Sequence, residues 1–274
     1  MQQRIKEFGG QGSAIVFAHA NGYPVGSYQQ FFAELTPHYK VTGYHHRPIW
    51  SDEPAPRKLD WDCFAADLVE TLEATQSEPV WMMGHSMGAV IAAQAADRRP
   101  DLFRGLILID PVFILRRFIA ARAMMSDEKI DAMPMIRKTL GRPDRFQSPE
   151  QAFEFHRGKR AFAGFSDEVL WDYINAGTRL NKAGEYELAY APAWEAAAYR
   201  STPRVWGLLK RVQLPLLGLR GETSDTLSPK AFQRWARVQP QADLRECRGG
   251  HLLPFEYPAE TASQVIDFLG QQEA

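Results

Sequence analysis

The feature that most constrains the fold is the alternation of apolar runs with helix-forming segments over the first part of the chain. Apolar runs at 14–18, 79–83 and 106–110 have the length and composition of buried strands. Segments with helical spacing of apolar residues lie between them, at 61–74 and 87–96. Strands that alternate with helices in this way predict a parallel sheet with helices on both faces.

The alternation stops in the middle of the chain. Residues 112–211 contain no convincing buried strand and are rich in helix formers and aromatic side chains. Buried-strand patterns return at 214–219 and 242–247. We therefore expect a core domain formed by 1–111 and 212–274, with 112–211 inserted as a helical cap.

Composition and charge restrict the classes of function. The chain has 274 residues, of which 45% are hydrophobic, and its formal net charge of −1 gives no field that favours nucleic acid. No apolar run reaches the length of about 18 residues that a membrane span needs. The first residues lack a signal-peptide pattern, and Cys63 and Cys247 form no disulfide framework. These features predict a cytoplasmic protein with a small-molecule substrate, and they leave the oligomeric state, a homo-oligomer included, open.

The segment Gly84-His85-Ser86-Met87-Gly88 carries the clearest chemical signal. It lies between a predicted buried strand and a helix rich in small residues. A tight turn at this point lifts the Ser86 hydroxyl out of the sheet, and the two glycines allow the strand and helix to approach closely. A serine needs such exposure, together with a base, to act as a nucleophile. We therefore predict that Ser86 is a catalytic nucleophile.

His251 is the candidate general base. It follows the last predicted strand, on the glycine-containing loop 249–254. Loops at the carboxyl ends of parallel strands face a common crevice, so His251 is expected to reach the serine. It is also the one histidine of the seven that follows all of the candidate acids in the chain.

The acid that orients the histidine is expected in the loop after the strand that ends at Leu219. This loop contains Glu222 and Asp225, and Asp225 is preferred because it lies deeper in the loop. Its carboxylate would hold the imidazole in the required tautomer. Asp110, which ends an earlier strand and precedes Pro111, remains an alternative.

The segment His19-Ala20-Asn21-Gly22-Tyr23-Pro24 follows the first buried strand. A backbone amide that helps to bind an oxyanion is expected at this place, and Asn21 is the candidate, with Met87 supplying the second amide. His19 is expected to brace the loop. The adjacent His45 and His46 would point to opposite faces of an extended strand, which disfavours a shared metal ion. No metal or cofactor is expected.

The chain resembles the α/β-hydrolase superfamily. Four segments carry the resemblance in the family's order: 19–24, 84–88, 220–225 and 249–251. The resemblance implies a mostly parallel eight-stranded sheet with a helical cap between its sixth and seventh strands. It implies a triad of Ser86, Asp225 and His251, and an oxyanion hole built from the amides of Asn21 and Met87. Serine at position 86 also disfavours the epoxide hydrolase and haloalkane dehalogenase branches, which have aspartate there.

These features together predict a serine hydrolase similar to carboxylesterases. The expected reaction is cleavage of a small or medium, largely apolar ester through an acyl-enzyme at Ser86. The same triad also suits hydrolysis of a carbon–carbon bond or haloperoxidase-like perhydrolysis. A third alternative is a binding protein that retains the triad without turnover.

Overall fold

The predicted alternation of strands and helices is present in the first part of the structure, a computed structural model that describes residues 3–273. Its elements are β1 (Ile5–Gly9), β2 (Ala14–Ala18), α1 (Gln29–Leu35), β3 (Lys40–Tyr44), α2 (Arg47–Trp50), α3 (Trp61–Thr75), β4 (Val80–His85), α4 (Met87–Arg98) and β5 (Phe103–Ile109). Helix α3 begins where the Asp60 carboxylate accepts hydrogen bonds from two free backbone amides. Every residue of β4 is buried, as a central strand covered on both faces requires.

The middle of the chain is mainly helical. It contains α5 (Arg116–Ala123), α6 (Asp127–Asp131), α7 (Pro134–Gly141), β6 (Arg145–Phe146), α8 (Pro149–Arg157), α9 (Asp167–Gly177), β7 (Thr178–Leu180), β8 (Tyr186–Leu188) and α10 (Pro192–Arg200). The three strands form a small antiparallel sheet in the order β6-β8-β7, which the sequence did not indicate. Strands of two or three residues are too short to produce a recognisable apolar run.

The last part of the chain returns to the core. Its elements are β9 (Leu216–Gly221), α11 (Pro229–Val238), β10 (Asp243–Cys247), α12 (Leu253–Glu256) and α13 (Pro258–Glu273). Both predicted strands are present. Among residues 3–273, no helix combines the length and the apolar character that crossing a bilayer demands.

The central sheet has seven strands in the described chain, in the order β1-β3-β2-β4-β5-β9-β10, and not the eight that the resemblance implied. All pairs are parallel except β1 with β3. Residues 3–13 accommodate one antiparallel strand and a glycine-containing turn, which explains the lower number. The mainly helical segment consequently follows the fifth strand of this sheet and not the sixth.

Two apolar clusters cover the opposite faces of the sheet. Alternate residues of β5 belong to different clusters, with Leu108 in one and Ile107 in the other, because side chains alternate along a strand. The middle segment contributes to both clusters, through Trp194 and Phe165 respectively. The packing thus joins residues 112–211 to both sides of the core.

Candidate active site

The expected nucleophile lies at the tip of the turn between β4 and α4. Ser86 has a φ of 55° and a ψ of −110°, a strained backbone conformation for a residue other than glycine. Its amide donates to the carbonyl of Ile109 at 2.9 Å, which ties the turn to the end of β5. The hydroxyl therefore lies above the carboxyl end of the sheet, at the amino end of α4.

Gly84 and Gly88 on either side of the turn have no room for a side chain. A Cβ at Gly84 would lie 2.5 Å from the carbonyl oxygen of Gly88, and a Cβ at Gly88 would lie 2.1 Å from that of Ala18. Both distances are far below van der Waals contact. The glycines therefore allow α4 to pack directly against the ends of β4 and β2.

His251 reaches Ser86 from the loop between β10 and α12. Its Nε2 lies 2.9 Å from Ser86 Oγ, and its side chain is 22% exposed. The loop is held because the amide of Gly250 donates to the Glu256 carboxylate at 2.6 Å. The expected contact between hydroxyl and imidazole is present.

The carboxylate that meets His251 belongs to Asp110, the residue after β5. Nδ1 of His251 donates to Asp110 Oδ2 at 2.7 Å, which leaves Nε2 as the acceptor for the Ser86 hydroxyl. The Asp110 side chain is fully buried and also accepts from the Gly221 amide at 3.0 Å and the Ser224 hydroxyl at 2.6 Å. Among residues 3–273, the non-glycine residues with positive φ are Ser86 and Asp110, the latter at 40°.

The structure does not place Asp225 beside His251, contrary to the preferred prediction. Asp225 is exposed, and its carboxylate accepts from the Thr226 hydroxyl at 3.4 Å. The loop after β9 turns so that the neighbouring Ser224 points inward, to Asp110, while Asp225 points to solvent. The sequence offered Asp110 as the alternative to Asp225, and the geometry favours Asp110 as the acid that orients His251.

The two residues expected to supply the oxyanion donors follow β2 and β4. Met87 is the first residue of α4, so its amide has no acceptor within the helix. Asn21 is 8% exposed, and its side-chain amide donates to the carbonyl of Glu195 at 3.2 Å. The use of the two backbone amides for an oxyanion stays a prediction.

Glu195 of α10 places a buried charge against the loop that contains Asn21. Its carboxylate lies 2.6 Å from the Arg142 guanidinium and accepts from the Tyr199 hydroxyl at 3.3 Å. Burial alone would lower the pKa of Arg142, but the Glu195 carboxylate beside it raises that pKa above its usual value. A Cβ at Gly22 would lie 2.9 Å from the Glu195 carboxylate, so the middle segment directly contacts the loop.

His19 and His46 brace the same loop from the other side. Nδ1 of His19 donates to the carbonyl of Ala20 at 2.7 Å, and its Nε2 accepts from the His46 amide at 3.2 Å. Nε2 of His46 donates to the carbonyl of His19 at 2.9 Å. Hydrogen bonds therefore engage both ring nitrogens of His19 and Nε2 of His46.

Aromatic side chains from the core and the middle segment meet close to the loop that contains His251. The ring of Tyr23 lies 5.3 Å from that of Tyr173 and 5.2 Å from that of Phe255. Phe165 stacks on Phe255 at 5.0 Å. Burial raises the pKa of Tyr173 to about 12, so its hydroxyl is neutral at physiological pH. The site is therefore bordered by an aromatic cluster in addition to the buried ion pair at the Asn21 loop.

Several residues that shape the site were not found from the sequence. Ser224 adjoins the predicted acid, and His85 lies inside the nucleophile motif, but neither was given a role. Tyr28 and Glu195 lie in helical segments with no motif around them. Their roles depend on contacts with distant parts of the chain, which no local pattern indicates.

Comparison with known proteins identifies the family. A sequence profile of the Alpha/beta hydrolase family matches residues 15–264. The monoglyceride lipase of Rattus norvegicus is 27% identical over 265 residues, which cover 93% of this chain and 80% of the lipase. A type I acyl-CoA thioesterase of Penicillium brevicompactum is 30% identical over 162 residues, which cover 53% of this chain and 36% of that protein.

A solved structure supports the same fold assignment. The crystal structure of E-2-(acetamidomethylene)succinate hydrolase superimposes with a TM-score of 0.77 at 20% identity, over 97% of this chain and 94% of that one. At this identity the likeness establishes the fold. The family profile extends over most of the chain, from β2 to α13. The chain therefore belongs to the Alpha/beta hydrolase family and is a hydrolase.

Proposed function

We propose that this hydrolase cleaves a carboxylic ester through an acyl-enzyme at Ser86. The observation that carries the proposal is the chain of hydrogen bonds from Ser86 through His251 to Asp110, with lengths of 2.9 and 2.7 Å. Each group has the orientation that its role requires. The buried carboxylate fixes the proton on Nδ1, and Nε2 is therefore free to accept the serine proton.

The proposed reaction has two halves. Ser86 Oγ attacks the ester carbonyl while its proton moves to His251 Nε2, and Asp110 stabilises the imidazolium that forms. Nε2 then gives this proton to the leaving alcohol as the bond between the acyl carbon and the alcohol oxygen breaks. A water molecule repeats the sequence on the acyl-enzyme and releases the carboxylic acid, which restores the serine.

The developing negative charge on the carbonyl oxygen needs donors that are already in place. We assign this role to the backbone amides of Asn21 and Met87. The Met87 amide also lies at the positive end of the α4 dipole. Loss of one such donor costs about 3 kcal/mol of transition-state stabilisation in enzymes of this type.

The surroundings of the site favour an ester with an apolar portion. Aromatic rings of Tyr23, Phe165 and Phe255 pack together close to the catalytic loop. The names of the two relatives above, a monoglyceride lipase and an acyl-CoA thioesterase, both refer to substrates with an acyl group. We infer a small or medium acyl ester as the substrate class.

We also infer that residues 112–211 form a cap over the site. Ser86 is 5% exposed, and Glu195 of this segment contacts both Asn21 and Gly22 of the loop beside it. A segment that closes over the nucleophile excludes water and lines the substrate cavity.

Active-site labelling combined with an ester panel tests the proposal. A fluorophosphonate probe should modify the intact protein at Ser86, located by peptide mass spectrometry, and p-nitrophenyl esters of increasing chain length should be hydrolysed. Ser86→Ala should abolish labelling and lower kcat by roughly 10⁴-fold or more. Labelling at another residue, or full activity in Ser86→Ala, would contradict the proposal.

The same panel separates the alternative reactions. Turnover of diketones in preference to all esters would favour carbon–carbon bond hydrolysis. Absence of labelling in a folded protein would favour a binding role. Ester turnover that depends on Ser86 and exceeds diketone turnover excludes both as the main activity.

A further inference from the structure

Tyr28 and His85 form a buried hydrogen-bonded connection behind the catalytic groups. Tyr28 is 1% exposed and His85 is 0% exposed. The amide of Ala20 donates to the Tyr28 hydroxyl oxygen at 3.1 Å, and this oxygen lies 2.8 Å from His85 Nδ1. The other ring nitrogen of His85 lies 2.8 Å from the carbonyl oxygen of His251.

The chemistry of the partners determines the direction of every hydrogen bond in this connection. A carbonyl oxygen only accepts, so Nε2 of His85 carries the proton. In a neutral ring Nδ1 is then an acceptor, and the Tyr28 hydroxyl donates to it. Burial lowers the pKa of His85 well below its usual value, which keeps the ring neutral. The oxygen of Tyr28 in turn accepts from Ala20.

The connection joins three segments of the catalytic site. Ala20 precedes Asn21, the residue assigned to the oxyanion hole. His85 precedes Ser86, and its imidazole donor holds the backbone of His251. We propose that Tyr28 and His85 are positioning residues that set the oxyanion loop and the His251 backbone relative to the nucleophile, an inference that rests on the proposed function of Ser86.

The Tyr28 ring has a packing role that is separable from this one. It lies 4.3 Å from the Phe255 ring and 4.5 Å from the Phe17 ring, inside the apolar core. Tyr28→Phe keeps the ring and removes the hydroxyl alone. The variant therefore interrupts the connection while it preserves the packing.

Tyr44→Phe is the matched control. Tyr44 is also fully buried, and within residues 3–273 its hydroxyl has no hydrogen-bond partner. In the intact protein, Tyr28→Phe should lower kcat for p-nitrophenyl esters by about tenfold with KM within about twofold, because the lost bond positions groups that act in the transition state. Tyr44→Phe should leave both constants unchanged. A kcat of the wild-type value in Tyr28→Phe would overturn the positioning role.

Substitutions of His85 test the donor to His251. The amide nitrogen of glutamine can take the place of Nε2, whereas leucine has no donor. The kcat of His85→Gln should therefore exceed that of His85→Leu by at least about tenfold. If folded His85→Gln and His85→Leu have equal kcat values, the hydrogen bond donated to the His251 carbonyl does not position the site. If His85→Leu does not fold, Tyr28→Phe still decides the question.

Two further measurements separate this inference from the proposed function. Fluorophosphonate labelling of the wild-type protein reports whether Ser86 is reactive at all, and its absence contradicts the proposed function. Nitrogen-15 spectra of the histidine rings report the tautomer of His85 in the same sample, independently of activity. The protonated Nε2 form supports the connection, and a protonated Nδ1 form would overturn it.

Discussion

Asp110 and Asp225 differ in what surrounds their carboxylates. Asp110 is buried, strained at a φ of 40° and hydrogen-bonded to the imidazole of His251. Asp225 is exposed on the loop after β9. At this φ the Asp110 carboxylate, at the end of β5, meets the Gly221 amide, the Ser224 hydroxyl and the His251 ring. Strain at both Ser86 and Asp110 is consistent with a site held by the surrounding fold.

Paired substitutions distinguish the two carboxylates. Asp110→Asn should lower kcat by roughly 10³- to 10⁴-fold, because the amide no longer holds the required tautomer of His251. Asp225→Asn should change kcat by less than about twofold, as expected of an exposed side chain. Steady-state kinetics with a p-nitrophenyl ester measures both. The reverse ranking would restore the assignment that the sequence favoured.

At the scale of elements, α10 and the loop after β2 depend on each other. Glu195 is 6% exposed, and Arg142 from the end of α7 neutralises it. The backbone carbonyl of Glu195 accepts from Asn21, and its carboxylate lies against Gly22, whose φ of +80° also favours glycine. The ion pair therefore anchors the middle segment where it meets the proposed oxyanion loop.

Loss of the Arg142 charge should reduce the stability of the folded protein. Arg142→Met leaves the Glu195 carboxylate buried without its partner, and we expect the free energy of unfolding to fall by about 3 kcal/mol. Arg145→Met is the control, because Arg145 is 61% exposed and pairs with Glu185 at 3.5 Å on the surface. Urea denaturation measures both variants. Equal losses would show that burial of the Arg142 pair has no special importance.

For the whole molecule, five buried or largely buried histidines make stability depend on pH in acid. Burial lowers the pKa of His45 to about 4 and that of His46 to about 3. It also lowers the pKa of His19 and His85 well below the usual value, and it lowers that of His156. The unfolded chain binds protons at these residues near pH 6.5, whereas the folded protein does not. The stabilisation is therefore complete above about pH 6.5 and is lost progressively as the pH falls toward 4 and 3.

The free energy of unfolding should thus be lower at about pH 5 than at about pH 7.5. Each histidine that stays neutral in the folded protein lowers the free energy of unfolding by up to about 1.4 kcal/mol for each pH unit below its unfolded pKa. His46→Gln, which retains a donor for the carbonyl of His19, should reduce the difference between the two pH values. His38→Gln, at an exposed position, should not alter it. Urea titrations give these values, and a pH-independent midpoint would refute the expectation.

The sequence by itself determined the parallel sheet with helices on both faces, the turn at Ser86 and the position of His251 after the last strand. Apolar periodicity sets strands and helices within short windows, and the strand–turn–helix around Ser86 is contained in consecutive residues. His251 was found because it follows the last strand. These signals are local or depend only on the order of elements.

Tertiary structure alone decided which carboxylate meets His251 and how the loops are held. Asp110 and His251 are 141 residues apart, and Asn21 and Glu195 are 174 apart. The number of strands in the sheet also depended on residues 3–13, which supply one strand, β1, paired antiparallel with β3. Such contacts follow from the packing of elements that are far apart in the chain. Within a loop, neighbouring side chains can point in opposite directions, as Ser224 points inward and Asp225 points to solvent.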